Sequence, residues 1–192
     1  MHLHLIVGLG NPGSQYANTR HNVGAWFVDA LRAKYDGIFK TESKFKGSIC
    51  SINVADHECK LLIPNTFMNL SGQSVRAVAN FYKIPTEAIL VAHDELDFLP
   101  GTVRFKHGGS AGGHNGVQDI INQLGAQNFY RLRFGIGKPE HREMMADYVL
   151  HAPSKTELNL IDEAITKTIA LSSEMIFGNF PKVMQELHAP ML

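Results

Sequence analysis

Apolar positions along this chain repeat in two periods that take turns. Leu3–Leu9 is a short, nearly continuous apolar run and predicts a strand. Thr19–Lys34 carries Val23, Trp26, Phe27, Ala30 and Leu31 at helical spacing. The runs Ser48–Val54 and Glu58–Pro64 predict a hairpin with a tight turn at Asp56-His57. Gly72–Lys83 is predicted helical, with Val75, Val78, Ala79 and Tyr82 on one face. Ile89–His93, Thr102–Lys106 and Tyr130–Gly137 predict strands, and Val117–Leu124 a helix with Val117, Ile120, Ile121 and Leu124 together. Ser154 and Glu157 form a capping-box pattern. The helix it opens is expected to run to about Phe177, with Leu158, Ile161, Ile165, Ile169 and Ile176 inward.

Strands interleaved with helices predict an α/β domain: a three-layer sandwich whose twisted mixed β-sheet is flanked by helices. The sheet should be parallel in its crossovers and antiparallel in the hairpin. The 192 residues fit a single domain, 1–192, without linker or repeat. Residues 138–153 have weaker periodicity and are expected to form a lid or a surface excursion.

Charge narrows the partners. Lys+Arg and Asp+Glu are both 18, which excludes a globally basic nucleic-acid binder but not a local patch. Between Thr102 and Arg142 the bases are Arg104, Lys106, Arg131, Arg133, Lys138 and Arg142, against the acids Asp119 and Glu140. Such a patch can hold phosphates without reading sequence. No apolar run reaches membrane-span length and no basic-then-apolar leader is visible, so a cytoplasmic protein away from membranes is expected. The proposed turn sets Cys59 opposite Val54 and away from Cys50, so no disulfide is expected.

Four polar loops fall between predicted elements: Gly8–Gly13, Asn65–Gly72, His93–Asp97 and His107–Gly116. In open α/β sheets, sites collect at the carboxyl ends of strands. Gly8-Leu9-Gly10-Asn11-Pro12-Gly13 matches GxGxxG, but Pro12 interrupts it, the helix starts late and no acid follows at the required place. Gly108–Gly112 reads GxSxG, so a serine hydrolase on Ser110, with Asp119 or Asp147 and a later His, is a rival reading. The ten histidines show no HExxH and no ligand spacing, so no metal and no cofactor are expected.

His21 stands in the first turn of the Thr19 helix. The positive end of the helix dipole disfavours imidazolium there, and a neutral imidazole is what a general base needs. Asp94 or Glu95 could fix its tautomer. The alternative is that His21 caps a loop and Asp94 takes a turn position. Asn11, Asn69 and Asn115 each sit in a Gly- or Ser-rich loop. Amides can donate to a carbonyl and accept from an N–H, which suits an ester or peptide backbone better than a phosphate.

These residues resemble the bacterial-type peptidyl-tRNA hydrolases. The resemblance is carried by Ile6–Gly13, Tyr16, Thr19–Asn22, Pro64–Gly72, His93–Asp97, Gly112–Gly116 and Arg131–Gly137, in order, over nearly the whole chain. It implies hydrolysis of the ester between a peptide and the terminal ribose of tRNA, recycling tRNA from prematurely released peptides. It implies a single mixed α/β domain, monomeric and without metal. His21 matches the catalytic base and Asp94 its orienting acid. Asn11 matches a residue that distinguishes a blocked peptidyl amine from a free one. Tyr16, Phe67, Asn69 and Asn115 match substrate-binding positions, and Met68 and His114 line the site. Lys106 and Arg133 match a clamp on the tRNA 5′ phosphate.

Overall fold

The strands at the centre of this fold have no polar face. In the computed structural model, which describes residues 1–189, β1 (Leu5–Gly8) is buried throughout and β5 (Ile89–Glu95) is buried up to Asp94. Continuous burial belongs to strands covered on both sides. Around them lie β2 (Lys40–Glu42), β3 (Gly47–Val54), β4 (His57–Pro64), β6 (Val103–His107) and β7 (Tyr130–Gly135). The seven strands form one sheet in the order β2-β3-β4-β1-β5-β7-β6. Strands β4, β1, β5 and β7 are mutually parallel. The β2/β3, β3/β4 and β6/β7 pairs are antiparallel. The expected mixed α/β sandwich is the fold observed; residues 190–192 of its expected span lie outside the described residues.

Strand alternation divides the core in two. Ile6, Leu90, Ala92, Leu132 and Phe134 face one side. There they meet α1 (Val23–Lys34), α5 (Lys155–Ala170), α6 (Ser172–Ile176) and α7 (Phe180–His188). Leu5, Val7, Ile89 and Val91 face the other side, against α2 (Ser71–Tyr82) and α3 (Asn115–Leu124). A single turn, α4 (Met145–Tyr148), lies within the weakly periodic stretch.

Several boundaries differ from the sequence reading. The hairpin turn is Ala55-Asp56, both at positive φ, so Val54 pairs with His57 and Cys59 with Ile52. Two positive-φ residues make the tight turn that matches strand twist. Both cysteines are buried free thiols. The last predicted helix breaks at Leu171, next to buried Ser172, which is held by Lys34 Nζ at 3.0 Å and by the Tyr35 hydroxyl at 2.8 Å. Leu158 is not inward but 36% exposed. Strand β2 and helix α7 extend the prediction.

Two glycines position the first helix. A side chain on Gly24 would collide with the Ala92 carbonyl, and one on Gly8 with the Gly24 carbonyl. This close approach lets the Ala25 amide donate to the Leu9 carbonyl at 3.1 Å. The turn that precedes α1, Arg20–Asn22, therefore sits over the end of β5.

Candidate active site

The loops after β1, β4 and β5 leave from the carboxyl ends of parallel strands, as expected. The glycine loop does not. Strand β6 is antiparallel, so its chain leaves at the opposite end, where the Gly108 amide donates to the Phe129 carbonyl at 3.0 Å. Residues 108–113 then cross the sheet face to deliver His114 to the end of β5.

Asp94 is the meeting point. Alternation along β5 turns it toward the α1 side, where its Oδ2 is 2.8 Å from His21 Nδ1. Its Oδ1 is 2.7 Å from His114 Nε2. Glu95 faces the other way, 3.8 Å from Arg133, which decides between the two acids. His114 Nδ1 caps α3, accepting from the Gly116 and Val117 amides at 3.2 and 3.3 Å. With Nδ1 an acceptor, its proton is on Nε2 and is donated to Asp94. His21 likewise donates Nδ1–H to Asp94 when neutral. Its Nε2 keeps a lone pair and has no protein partner among the described residues.

Burial alone would raise the Asp94 pKa, but the charges and hydrogen bonds of His21 and His114 hold it well below the usual carboxylate range. Burial lowers His21, yet the charge and hydrogen bond of Asp94 outweigh it, and the net shift is upward. This corrects the expectation from the helix dipole: the carboxylate, not the helix end, sets the ionisation of His21.

His21, Asp94, His114 and Asn115 line a cleft of about 510 Å³ with Glu95, Asp97, Arg142, Met145 and Val149. Its wall is bound to the turn that carries His21: the His21 amide donates to the Val149 carbonyl at 2.9 Å and the Arg20 amide to the His151 carbonyl at 3.0 Å. The Arg20 guanidinium donates to the Tyr148 carbonyl at 3.1 Å, meets Glu157 at 3.3 Å and lies 3.8 Å over the Tyr148 ring.

Asn11 is held from both sides. Asn22 Oδ1 accepts from the Asn11 amide at 2.9 Å, and Asn22 Nδ2 donates to the Asn11 carbonyl at 3.0 Å. Asn11 Oδ1 accepts from the Met68 amide at 2.7 Å, leaving Nδ2 as its free donor. Met68 therefore acts through its backbone; its side chain is buried against Gly116. Phe67 and Asn69 on either side are exposed, and so is Asn115. The Tyr16 carbonyl closes the turn before His21 by accepting from the Thr19 amide and hydroxyl at 3.1 and 2.9 Å.

The basic patch divides. Register places Lys106 opposite Arg131 and Arg104 opposite Arg133 across β6 and β7. Lys106 and Arg133 stay partly exposed, and each is electrostatically felt by neighbouring cations. Arg131 is buried and binds backbone carbonyls, which removes it from the surface patch. Lys138 is 3.9 Å from Asp97.

The rival on Ser110 finds no support. Among the described residues, no His or carboxylate hydrogen-bonds its hydroxyl. Asp119 accepts from the Gly72 amide at 2.8 Å, and Asp147 pairs with His151 at 3.6 Å. Arg20, Asn22 and His93 lie in the motifs of the resemblance, but the sequence assigns them no role. His93 packs its ring 4.8 Å from His114, and burial and His114 push it down to about 3.

His21, Asp94 and His114 also bring three donor atoms within 4.8 Å of one another, a spacing a divalent cation could bridge. The capping bonds oppose this. A metal on His114 Nε2 would put the ring proton on Nδ1, facing two amide donors.

Comparison with known proteins gives a consistent result. Residues 5–191 match the family model described as Peptidyl-tRNA hydrolase. A protein of that name from Tolumonas auensis is 50% identical over 188 residues, covering 97% of this chain and 95% of the relative. One from Yersinia pestis is 51% identical over 186 residues, covering 96% and 95%. A crystal structure of the Acinetobacter baumannii peptidyl-tRNA hydrolase superposes with a TM-score of 0.95 at 46% identity, covering 97% of this chain and 95% of that one.

Proposed function

Because the chain belongs to the peptidyl-tRNA hydrolase family, we propose that it cleaves the ester between the peptide and the terminal ribose of tRNA, with His21 as general base. Family and fold support hydrolysis of peptidyl-tRNA; the residue-level chemistry is our reading. The observation that carries it is the double hold on Asp94, which fixes the proton of His21 on Nδ1 and frees Nε2.

Nε2 takes a proton from a water whose oxygen attacks the ester carbonyl carbon. Asp94 stabilises the imidazolium that forms. The oxyanion is met by an amide donor, for which the free Nδ2 of Asn11 and the side chain of Asn115 are the candidates. The carbon–oxygen bond to the ribose then breaks, and the leaving oxygen takes the proton from Nε2. The products are a tRNA with a free ribose hydroxyl and a peptide carboxylic acid, which loses its proton to solvent to give the carboxylate. Exposed Phe67 and Asn69, with Tyr16, meet the peptide and the 3′ end.

Lys106 and Arg133 hold the 5′ phosphate at the β6–β7 face, and Glu95 beside Arg133 sets that arginine's position. The step needs no metal. We infer a cytoplasmic monomer that returns tRNA from prematurely released peptides to translation. No helix among the described residues is long and apolar enough to cross a membrane. The test is release of peptide from an N-blocked aminoacyl-tRNA by the purified protein and by His21→Ala. Release by the first and not the second supports the reading; no release by the wild-type protein refutes it.

A further inference from the structure

The loop joining the phosphate clamp to the catalytic histidines is tied down at its middle by a buried side chain. Lys106 is the penultimate residue of β6, and His114 ends the loop that follows. Between them Gly108, Gly109, Gly112 and Gly113 all have positive φ. Such a run has unusual freedom in the backbone, and a side chain on Gly112 or Gly113 would touch nothing within 4 Å. Of that stretch only Ala111 packs against the core.

Arg131 lies beneath it, only 2% exposed. Its Nη1 donates to the Ser110 carbonyl at 2.7 Å, and its Nη2 to the carbonyls of Gly109 at 2.7 Å and Gln127 at 3.1 Å. The Phe129 ring lies 4.4 Å from the guanidinium. Among the described residues no carboxylate pairs with it; Lys106 stands opposite in register and Arg133 two residues on. A buried cation without a counter-charge is costly, and the carbonyl bonds that offset part of the cost are ones an apolar residue could not make. The planar fork reaches two successive loop carbonyls.

The geometry points to Arg131 as a positioning residue that ties the phosphate clamp to the catalytic centre, by anchoring the glycine loop that runs between Lys106 and His114. This rests on the reading of Lys106 and Arg133 as the clamp and of His114 as a partner of Asp94. Two failures of the loop are linked. Released from Arg131, residues 109–110 no longer fix the path to His114, and the α3 cap loosens. At the other end Gly109 no longer backs Lys106, whose Nζ lies 2.7 Å from where a Gly109 side chain would start.

The experiment compares Arg131→Lys and Arg131→Met with wild type in three readouts. These are melting temperature, hydrogen exchange of the Gly116 and Val117 amides, and turnover of a minimal N-blocked aminoacyl nucleoside ester that has no 5′ phosphate. Lysine keeps the charge but cannot span both carbonyls. We expect Arg131→Lys to fold, to raise exchange at those two amides by about 10- to 100-fold over the other protected amides, and to lower minimal-ester kcat by a similar factor, the worth of a lost charged hydrogen bond. Arg131→Met should do at least as much. Unchanged exchange and kcat in a folded Arg131→Lys protein overturns the inference, and so does a uniform rise in exchange across all amides, which marks a general fold support. Should Arg131→Met not fold, Arg131→Lys alone decides. If wild type does not release peptide, the functional reading fails, while the amide exchange still reports on the tether.

Discussion

His21 Nδ1 and Asp94 Oδ2 stand 2.8 Å apart, and this contact moves the ionisation of both groups in opposite directions. It gives the histidine one free nitrogen and a fixed tautomer.

Removing the proposed base should stop the chemistry without unfolding the protein. His21→Ala is expected to lower kcat/KM on peptidyl-tRNA by about 10²–10⁴-fold, the usual worth of a general base. Its circular dichroism and melting should stay close to wild type. Ser110→Ala should keep wild-type activity. A covalent acyl adduct on Ser110 in the mass spectrum would contradict attack by water.

The pH profile follows from the direction of the His21 shift. In the proposed mechanism neutral His21 is the active form, so activity should rise with pH through a pKa above the ordinary 6.5. In Asp94→Asn the raising charge is gone and burial remains. The acid limb should therefore move to lower pH while the plateau falls. A limb that stays in place, or moves to higher pH, counts against Asp94 as the partner.

The proposed clamp would act at a distance from the bond that breaks. Changing Lys106 and Arg133 together to Ala should weaken binding of full-length peptidyl-tRNA. For each lost phosphate contact, the slope of log affinity against log salt should fall by about 0.7–0.9. Turnover of a minimal ester should change little. An unchanged salt slope would make the two residues bystanders, and an equal loss on both substrates would place them in the chemical step.

A chelator should leave turnover unchanged, because the α3 cap holds His114 in the tautomer that donates from Nε2. Assay after exhaustive EDTA treatment and desalting checks this. Activity lost to chelation and restored by one divalent ion would show that the donors are rearranged around a cation.

The central strands were legible in the sequence because burial on both faces leaves an unbroken apolar run, as in Leu5–Gly8. The edge strand Lys40–Glu42 was not, since it carries no buried residue to mark it. Helix α7 had a signal, Pro181 in its first turn with Val183 and Leu187 inward, but its short length hid the period. His21 and Asp94 were legible as candidates, and spacing alone could not choose Asp94 over Glu95. That choice needed strand alternation and the close seating of Gly24 on Ala92. Arg131 looked like one more surface cation. Only the antiparallel turn of β6, which sends the glycine loop back across the sheet, shows why it is buried.

The order of strands also sets a timetable. Strand β1 is the first segment of this chain to enter the sheet, yet it lies in the middle, between β4 and β5. Both of its hydrogen-bonding edges stay bare until residues 57–64 and then 89–95 have emerged. The Leu3 amide waits longer still, for the carbonyl of Ile176 at 2.8 Å. During synthesis, then, an apolar strand lacks both neighbours until about a third of the chain has emerged, and keeps one bare edge until about half has. Such unpaired edges are where nascent chains stick to one another. This enzyme's aggregation hazard therefore lies at its amino end, and holdase chaperones should be engaged there before β5 is complete.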